Sequence, residues 1–208
     1  MKKSELGIDE AGRGPVLGPM VLAGVVVPQG EMSRLADWGV KDSKVFGSGA
    51  RAQAKREALA HRIMASFRHK ITVLSPEIID RYVREHSLNK LEQKTARDII
   101  ASLPAETVVL DGASLFKPLV GDSVHALNKA DETYLSVAAA SILAKWKRDV
   151  LFDELCQPFT DSFGDIRGGG YANAKTLEFV KWHLENRGGL PFFYRKSYNW
   201  KALNQSQS

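Results

Sequence analysis

The chain has 208 residues, 44% hydrophobic and 25% charged, with a formal net charge of +5; this is ordinary globular make-up with room for one sizeable core, not that of a disordered chain. No apolar run approaches the roughly 18 residues of a membrane span, and only "LGI" precedes the acidic pair Asp9 and Glu10, too little for a signal peptide, so a cytosolic, cytoplasmic location is expected. The positive balance permits a polyanionic partner, and the one cysteine, Cys156, excludes an internal disulfide and reads as a structural thiol.

Residues 6–8 and 16–27 read as two buried strands joined by a tight turn, because "VLGPMVLAGVVV" is too rich in Gly and β-branched residues for a helix. After a polar loop containing "KDSK", residues 51–67 place Ala54, Ala58, Ile63 and Phe67 on one helical side. "KITVL" reads as a strand. "SPEIIDRYVREH" carries a helix-start signal, with Ser75 as cap, Pro76 at the first helical position and Glu77 behind it. A further helix is expected over residues 91–103, and "ETVVLDG" is a short strand ending at Asp111. Residues 131–155 contain no Gly or Pro and read as one long helix whose Ala and Ser residues, from Ser136 to Ser141, suit close packing. A Gly-rich loop, "GDIRGGGYANAKT", leads into a helix ending near Asn186, part of a C-terminal helical, basic-aromatic segment from about residue 173. Strands alternating with helices predict one α/β domain over residues 1–208, with a mixed central sheet flanked by helices.

"GRGPVLG" suggests a phosphate loop but fails the dinucleotide spacing. Gly12 and Gly14 are followed by Gly18, Pro15 removes an amide donor, and a strand follows where a helix N-terminus is needed. The carboxylates before it are better candidates for the chemistry: Asp and Glu oxygens are hard ligands suited to Mg²⁺ or Mn²⁺. Burying Asp9 and Glu10 together without a cation would be costly. Successive strand side chains face opposite sides, so both reach one site only if the strand ends or bulges at Glu10, a bend that Gly12 permits. Asp111 ends an apolar strand, where side chains enter sites at sheet edges, although alone it is also an ordinary turn residue before Gly112. Asp131 alone reads equally as a carboxylate at a helix N-terminus. None of the five histidines falls within a carboxylate motif.

"GIDEAGRGP", "KDSK", "VVLDG" and "KADETYLSVAAASILAKWKRD", in that order, resemble the type 2 ribonuclease H family, the ribonuclease HII of bacteria and archaea. "DEAGRGPVLGPMV" and "GGGYANAKT" are most similar to archaeal and eukaryotic catalytic subunits. The resemblance implies an RNase H-like fold, cleavage of the RNA strand of RNA/DNA hybrids, and incision 5′ of single ribonucleotides embedded in duplex DNA. It implies a two-ion Mn²⁺ or Mg²⁺ site on Asp9, Glu10, Asp111 and Asp131, with products bearing 5′-phosphate and 3′-hydroxyl ends. It places the family's GRG turn on Gly12, Arg13 and Gly14, its junction-sensing tyrosine on Tyr171, and a lysine near the scissile region on Lys44. Lys145 and Arg148 match basic positions of the helix motif, as substrate contacts or as supports of the fold. "KDSKVF" lacks the second lysine of bacterial members and Ala172 stands where a proline is usual, departures that bear on substrate positioning. Only eight residues precede Asp9, which disfavours the related ribonuclease HIII with its extra N-terminal domain.

Telling RNA from DNA requires a contact to the 2′-hydroxyl, and the glycines of the GRG turn would let backbone groups approach that sugar. Tyr171 either stacks on the next sugar or is an ordinary aromatic after a glycine loop. The tail "PFFYRKSYNW" either grips a duplex or closes the core with its aromatics. "NRGGLPFF" has Asn186 and Gly189 where a sliding-clamp peptide needs Gln and an aliphatic residue, so no such partner is expected, and a monomer is the default. Two other readings stand beside the nuclease: a hybrid-binding module without catalysis, opposed by the presence of all four carboxylates, and a DNA nuclease or resolvase on the same fold, opposed by the GRG turn and Tyr171.

Overall fold

The computed structural model of the chain describes residues 3–40, 47, 49–166, 168–198 and 200–204. The N-terminal apolar runs form β1 (Ser4–Ala11) and β2 (Met20–Pro28), followed by α1 (Met32–Asp37), α2 (Ala50–Ser66) and β3 (Arg68–Leu74). Next come α3 (Pro76–Arg84), α4 (Leu88–Ser102), β4 (Thr107–Asp111), α5 (Ala113–Phe116), β5 (Val124–Leu127), α6 (Ala130–Thr133) and α7 (Leu135–Cys156). They are followed by α8 (Thr160–Phe163), α9 (Ala174–Arg187) and α10 (Lys201–Asn204). One sheet runs in the order β3-β2-β1-β4-β5. β1 is antiparallel to β2 and parallel to β4, and β4 is parallel to β5, the mixed sheet expected from the sequence.

Two compact units divide the chain: Met1–Ala11, Val21–Thr72 and Asn89–Lys147 form the first, and Gly12–Met20, Val73–Leu88 and Arg148–Ser208 the second. In the first, two glycines on opposite faces of the sheet admit a helix each. A Cβ on Gly7 would collide with the main chain of Ser136 and Val137, so α7 lies directly on β1. Gly24, paired with Ile8, points to the other face, where a Cβ would strike Ile99 of α4. Residues 20–27 of β2 are buried throughout, which explains their unbroken apolar run.

The second unit has its own aromatic core, in which Leu17, Phe152, Phe159, Phe179, Phe193 and Trp200 are buried together. Phe179 and Phe193 stack at 6.2 Å and 19°. Cys156 lies in this core, where burial pushes its thiol up to about 12, as suits a structural thiol.

Several expected details change. The second strand starts at Met20 rather than residue 16, because Gly18 at φ +82 and Pro19 interrupt the extended run. On α2, Ala54 and Ala58 are exposed, and the buried stripe is Ala52, Arg56, Leu59, Ala60 and Ile63; Leu59 and Ile63 bring more apolar area than the alanines and set the face. The long helix is broken at Tyr134, which is extended (φ −106, ψ 115) and packs against Val109, Ala130 and Val137. β5 escapes a pattern reading because its four residues are only half-buried or exposed. The Ser75 cap is as expected, its side chain accepting from the amide of Ile78 at 3.4 Å.

Candidate active site

The carboxylates lie in the first unit. The parallel pairing of β1 with β4 sets Ile8 opposite Leu110, so Asp9, within β1, and Asp111, the last residue of β4, each follow that pair by one residue. Glu5, Gly7 and Asp9 share the face covered by α7. Ser136 Oγ donates to Glu5 Oε1 at 2.6 Å, the bare backbone of Gly7 meets Val137, and the Ser141 side chain hydrogen-bonds the Asp9 carboxylate. Asp9 is only 6% exposed. Burial above all, then the charges of Glu10 and Asp111, hold its carboxyl well above the ordinary range, against the opposing pull of the Ser141 bond and the Glu10 amide, 2.8 Å from Oδ1.

Asp111 takes its position from a capping bond: its Oδ1 accepts from the amide of Ala130 at 2.8 Å. That bond anchors the first residue of α6 and with it the adjacent, buried Asp131. Glu10 departs from expectation. β1 neither ends nor bulges there, since pairing with β2 continues in register through Glu10–Leu22 and Ala11–Val21. The charge of Glu10 nevertheless lies near enough to raise the Asp9 carboxyl. Among the described residues, no three acidic, histidine or cysteine side chains converge closely enough to ligate one ion. The donor set nevertheless fits a hard divalent cation: the groups are all oxygen donors, and the buried Asp9 carboxyl is raised by burial and by the neighbouring charges of Glu10 and Asp111, which a cation would offset. Lys145 follows Ser141 by one turn on the same side of α7; Lys44 lies outside the described residues.

The GRG turn belongs to the second unit. Gly12 adopts φ +88, and a Cβ there would stand 2.7 Å from the carbonyl oxygen of Pro19 and 3.1 Å from Arg148 Nε, so the turn requires glycine. Tyr171, 50% exposed, packs beside Gly14, 3.6 Å from where a Cβ would sit. Arg148 is fully buried, and its guanidinium donates to the carbonyl oxygens of Gly169 (2.5 Å) and Leu17 (3.3 Å) beneath the Tyr171 loop. Burial lowers its pKa, partly offset by Asp149.

Two residues complete this unit's polar framework: Arg195, which the sequence shows only as one basic residue of the tail "PFFYRKSYNW", and Asp80, which no motif marks. Arg195, fully buried, donates to the carbonyl oxygens of Gly12, Arg13 and Gly18. Asp80 accepts from the amides of Lys196 and Ser197, both at 2.9 Å, and from the Ser197 hydroxyl. Within "PFFYRKSYNW", then, Phe193, Tyr194 and Arg195 are interior, and Phe192 is exposed.

Residues 6–201 match the family model described as ribonuclease HII. The chain belongs to the ribonuclease HII family. It is 36% identical to a ribonuclease HII of Methanococcus maripaludis, with 93% of this chain and 83% of that protein covered. Among solved structures it resembles the ribonuclease HII in the PCNA:RNase HII complex from Archaeoglobus fulgidus, at 35% identity and a TM-score of 0.79, covering 94% of this chain and 95% of the other. It also resembles Bst-RNase HIII in complex with Mn²⁺, at 25% identity and a TM-score of 0.80, covering 99% of this chain and 70% of the other. The mixed sheet with its flanking helices is thus the RNase H-like fold, and the chain is a member of a metal-dependent endonuclease family that acts on the RNA strand of RNA/DNA hybrids.

Proposed function

We propose that the chain hydrolyses the RNA strand of RNA/DNA hybrids and also incises duplex DNA 5′ of a single embedded ribonucleotide, leaving 5′-phosphate and 3′-hydroxyl ends. The observation that carries this reading is the buried Asp9, which follows the last β1–β4 pair as Asp111 does, its carboxyl raised by burial and by the charges of Glu10 and Asp111 that a cation would neutralise.

Asp9, Glu10, Asp111 and Asp131 would hold two divalent ions, Mn²⁺ or Mg²⁺. Bound there, such ions supply a hydroxide-like water at neutral pH and neutralise charge on the phosphate and the departing 3′ oxygen. Ser141 orients the Asp9 carboxylate and the Ala130 amide orients that of Asp111, so neither needs to reorganise when substrate arrives. The backbone of Gly12, Arg13 and Gly14 contacts the 2′-hydroxyl, and the exposed ring of Tyr171 stacks on the following deoxyribose. Arg148 holds the loop beneath Tyr171 from the interior, while Lys44 and Lys145 attract the phosphates. The protein acts as a monomer on nucleic acid in the cytoplasm.

The test is incubation with Mn²⁺ or Mg²⁺ and a labelled duplex containing one ribonucleotide, beside an all-DNA duplex of the same sequence. Incision 5′ of the ribonucleotide alone is expected. Equal cutting of both would indicate a DNA nuclease, and binding without incision of either a hybrid or the ribonucleotide duplex would indicate a binding module.

A further inference from the structure

We propose that Arg195, assisted by Tyr198, is the positioning residue that gives the GRG turn its preference for ribose, by holding the turn's carbonyls inward and its amides outward. The inference rests on reading Gly12, Arg13 and Gly14 as the sugar-inspecting turn.

The Arg195 guanidinium reaches three main-chain acceptors: Nη2 donates to Gly12 O at 2.6 Å, Nη1 to Arg13 O at 3.0 Å and Nε to Gly18 O at 2.9 Å. Tyr198 accepts from Arg195 Nη1 at 3.1 Å and donates its own hydroxyl hydrogen to Arg13 O at 2.6 Å. Both carbonyls flanking Arg13 are therefore pinned by side chains far along the chain. In a trans peptide the C=O and the following N–H point to opposite sides, and no described peptide bond is cis. Fixing Gly12 O and Arg13 O against Arg195 thus turns the N–H groups of Arg13 and Gly14 away from the buried Arg195, and Gly14 itself is exposed. Two successive amides directed alike form a concavity for an oxygen ligand.

Glycine-flanked peptides rotate at little conformational cost, and a rotated peptide would present an acceptor in place of a donor. Arg195 opposes that rotation because its planar fork needs all three carbonyls where they are. A lysine, with a point charge on a flexible stem, would not impose the same geometry. Arg195 is itself held, since its amide donates to Val16 O at 2.8 Å and the next two residues are bound by Asp80. Being fully buried, it acts through the turn.

Full-length Tyr198→Phe and Arg195→Lys are compared with the parent protein on the ribonucleotide-containing duplex with Mn²⁺, the all-DNA duplex serving as a competitive inhibitor. Tyr198→Phe keeps the ring and removes one hydroxyl, so kcat/KM for the ribonucleotide duplex should fall about tenfold, the worth of one such hydrogen bond. Arg195→Lys should lose more, while the inhibition constant of the all-DNA duplex and Mn²⁺ affinity without nucleic acid stay at parental values. A folded Tyr198→Phe that keeps the parental ratio of the inhibition constant to KM would overturn the proposal, and so would equal weakening toward both duplexes. If Arg195→Lys does not fold, Tyr198→Phe decides alone. Failure of the underlying reading looks different: the parent protein itself would cut both duplexes equally.

Discussion

The main-chain N–H of Ala130 donates to Asp111 Oδ1 at 2.8 Å, so the carboxylate that ends β4 also fixes the residue preceding Asp131. One side chain thereby positions two of the four acidic residues assigned to the metal site.

This double duty separates charge from shape at position 111. Asp111→Asn keeps an oxygen that can accept from Ala130, so the melting temperature should stay within a few degrees of the parent. Cleavage should fall by more than about a hundredfold, beyond the loss expected from an outer-shell partner of a metal ligand, while hybrid binding survives. Asp111→Ala should also lose cleavage but destabilise the fold by about 1–3 kcal/mol, because the Ala130 amide loses its acceptor. Thermal melts of both variants beside a hybrid-binding titration check the contrast.

Asp9 gives a pH signature. Its carboxyl is raised in the folded state, first by burial and then by the charge of Glu10. A raised carboxyl stabilises the fold while it stays protonated, and that contribution is lost as pH rises from the ordinary carboxylate range through the displaced pKa. In the absence of divalent ions, Asp9→Asn should therefore gain stability over the parent as pH increases toward neutrality, and Mn²⁺ should raise the melting temperature of the parent more than that of the variant. A difference between the two proteins that stays flat with pH would contradict this assignment.

Gly7 and Gly24 make a matched pair on opposite faces of the sheet. A Cβ at Gly7 meets main chain, which must move as a whole, whereas one at Gly24 meets the end of the Ile99 side chain. Gly7→Ala should cost about 3 kcal/mol or more and Gly24→Ala less, read as a larger loss of melting temperature for the first. Because Asp9 and Ser141 meet across the same β1–α7 contact, Gly7→Ala should also depress cleavage in whatever fraction remains folded.

In the second unit, Asp80 accepts from two amides and one hydroxyl of residues 196–197. Asp80→Ala should destabilise the protein by about 2–4 kcal/mol by stranding these donors, measured by chemical denaturation.

Much of this was legible in the sequence because the carboxylates follow apolar strand residues and sit in long motifs. Asp111 could be placed at a strand end and Asp131 at a helix start from their neighbours alone, although that helix is the short α6, and β1 runs on past Asp9 to Ala11. Glu10 could not, since its approach depended on whether β1 bulged, and the register with β2 that rules out a bulge is a long-range property. Tyr134 interrupts a run without Gly or Pro because it packs on Val109 and Val137, a tertiary effect that no propensity carries. Arg195 was visible only as a charge among aromatics: its partners are main-chain carbonyls of residues 12–18, and carbonyls leave no trace in side-chain patterns.

The most direct test of the metal-dependent carboxylate site is a divalent-ion titration of hybrid cleavage by the parent protein and Asp111→Asn, both stripped of metal beforehand. The parent should be inactive without ions and cut the RNA strand on addition of Mn²⁺ or Mg²⁺, while Asp111→Asn binds the hybrid and leaves it intact at every ion concentration. Cleavage by the stripped parent at its full rate, or by Asp111→Asn at the parental rate, would contradict the assignment.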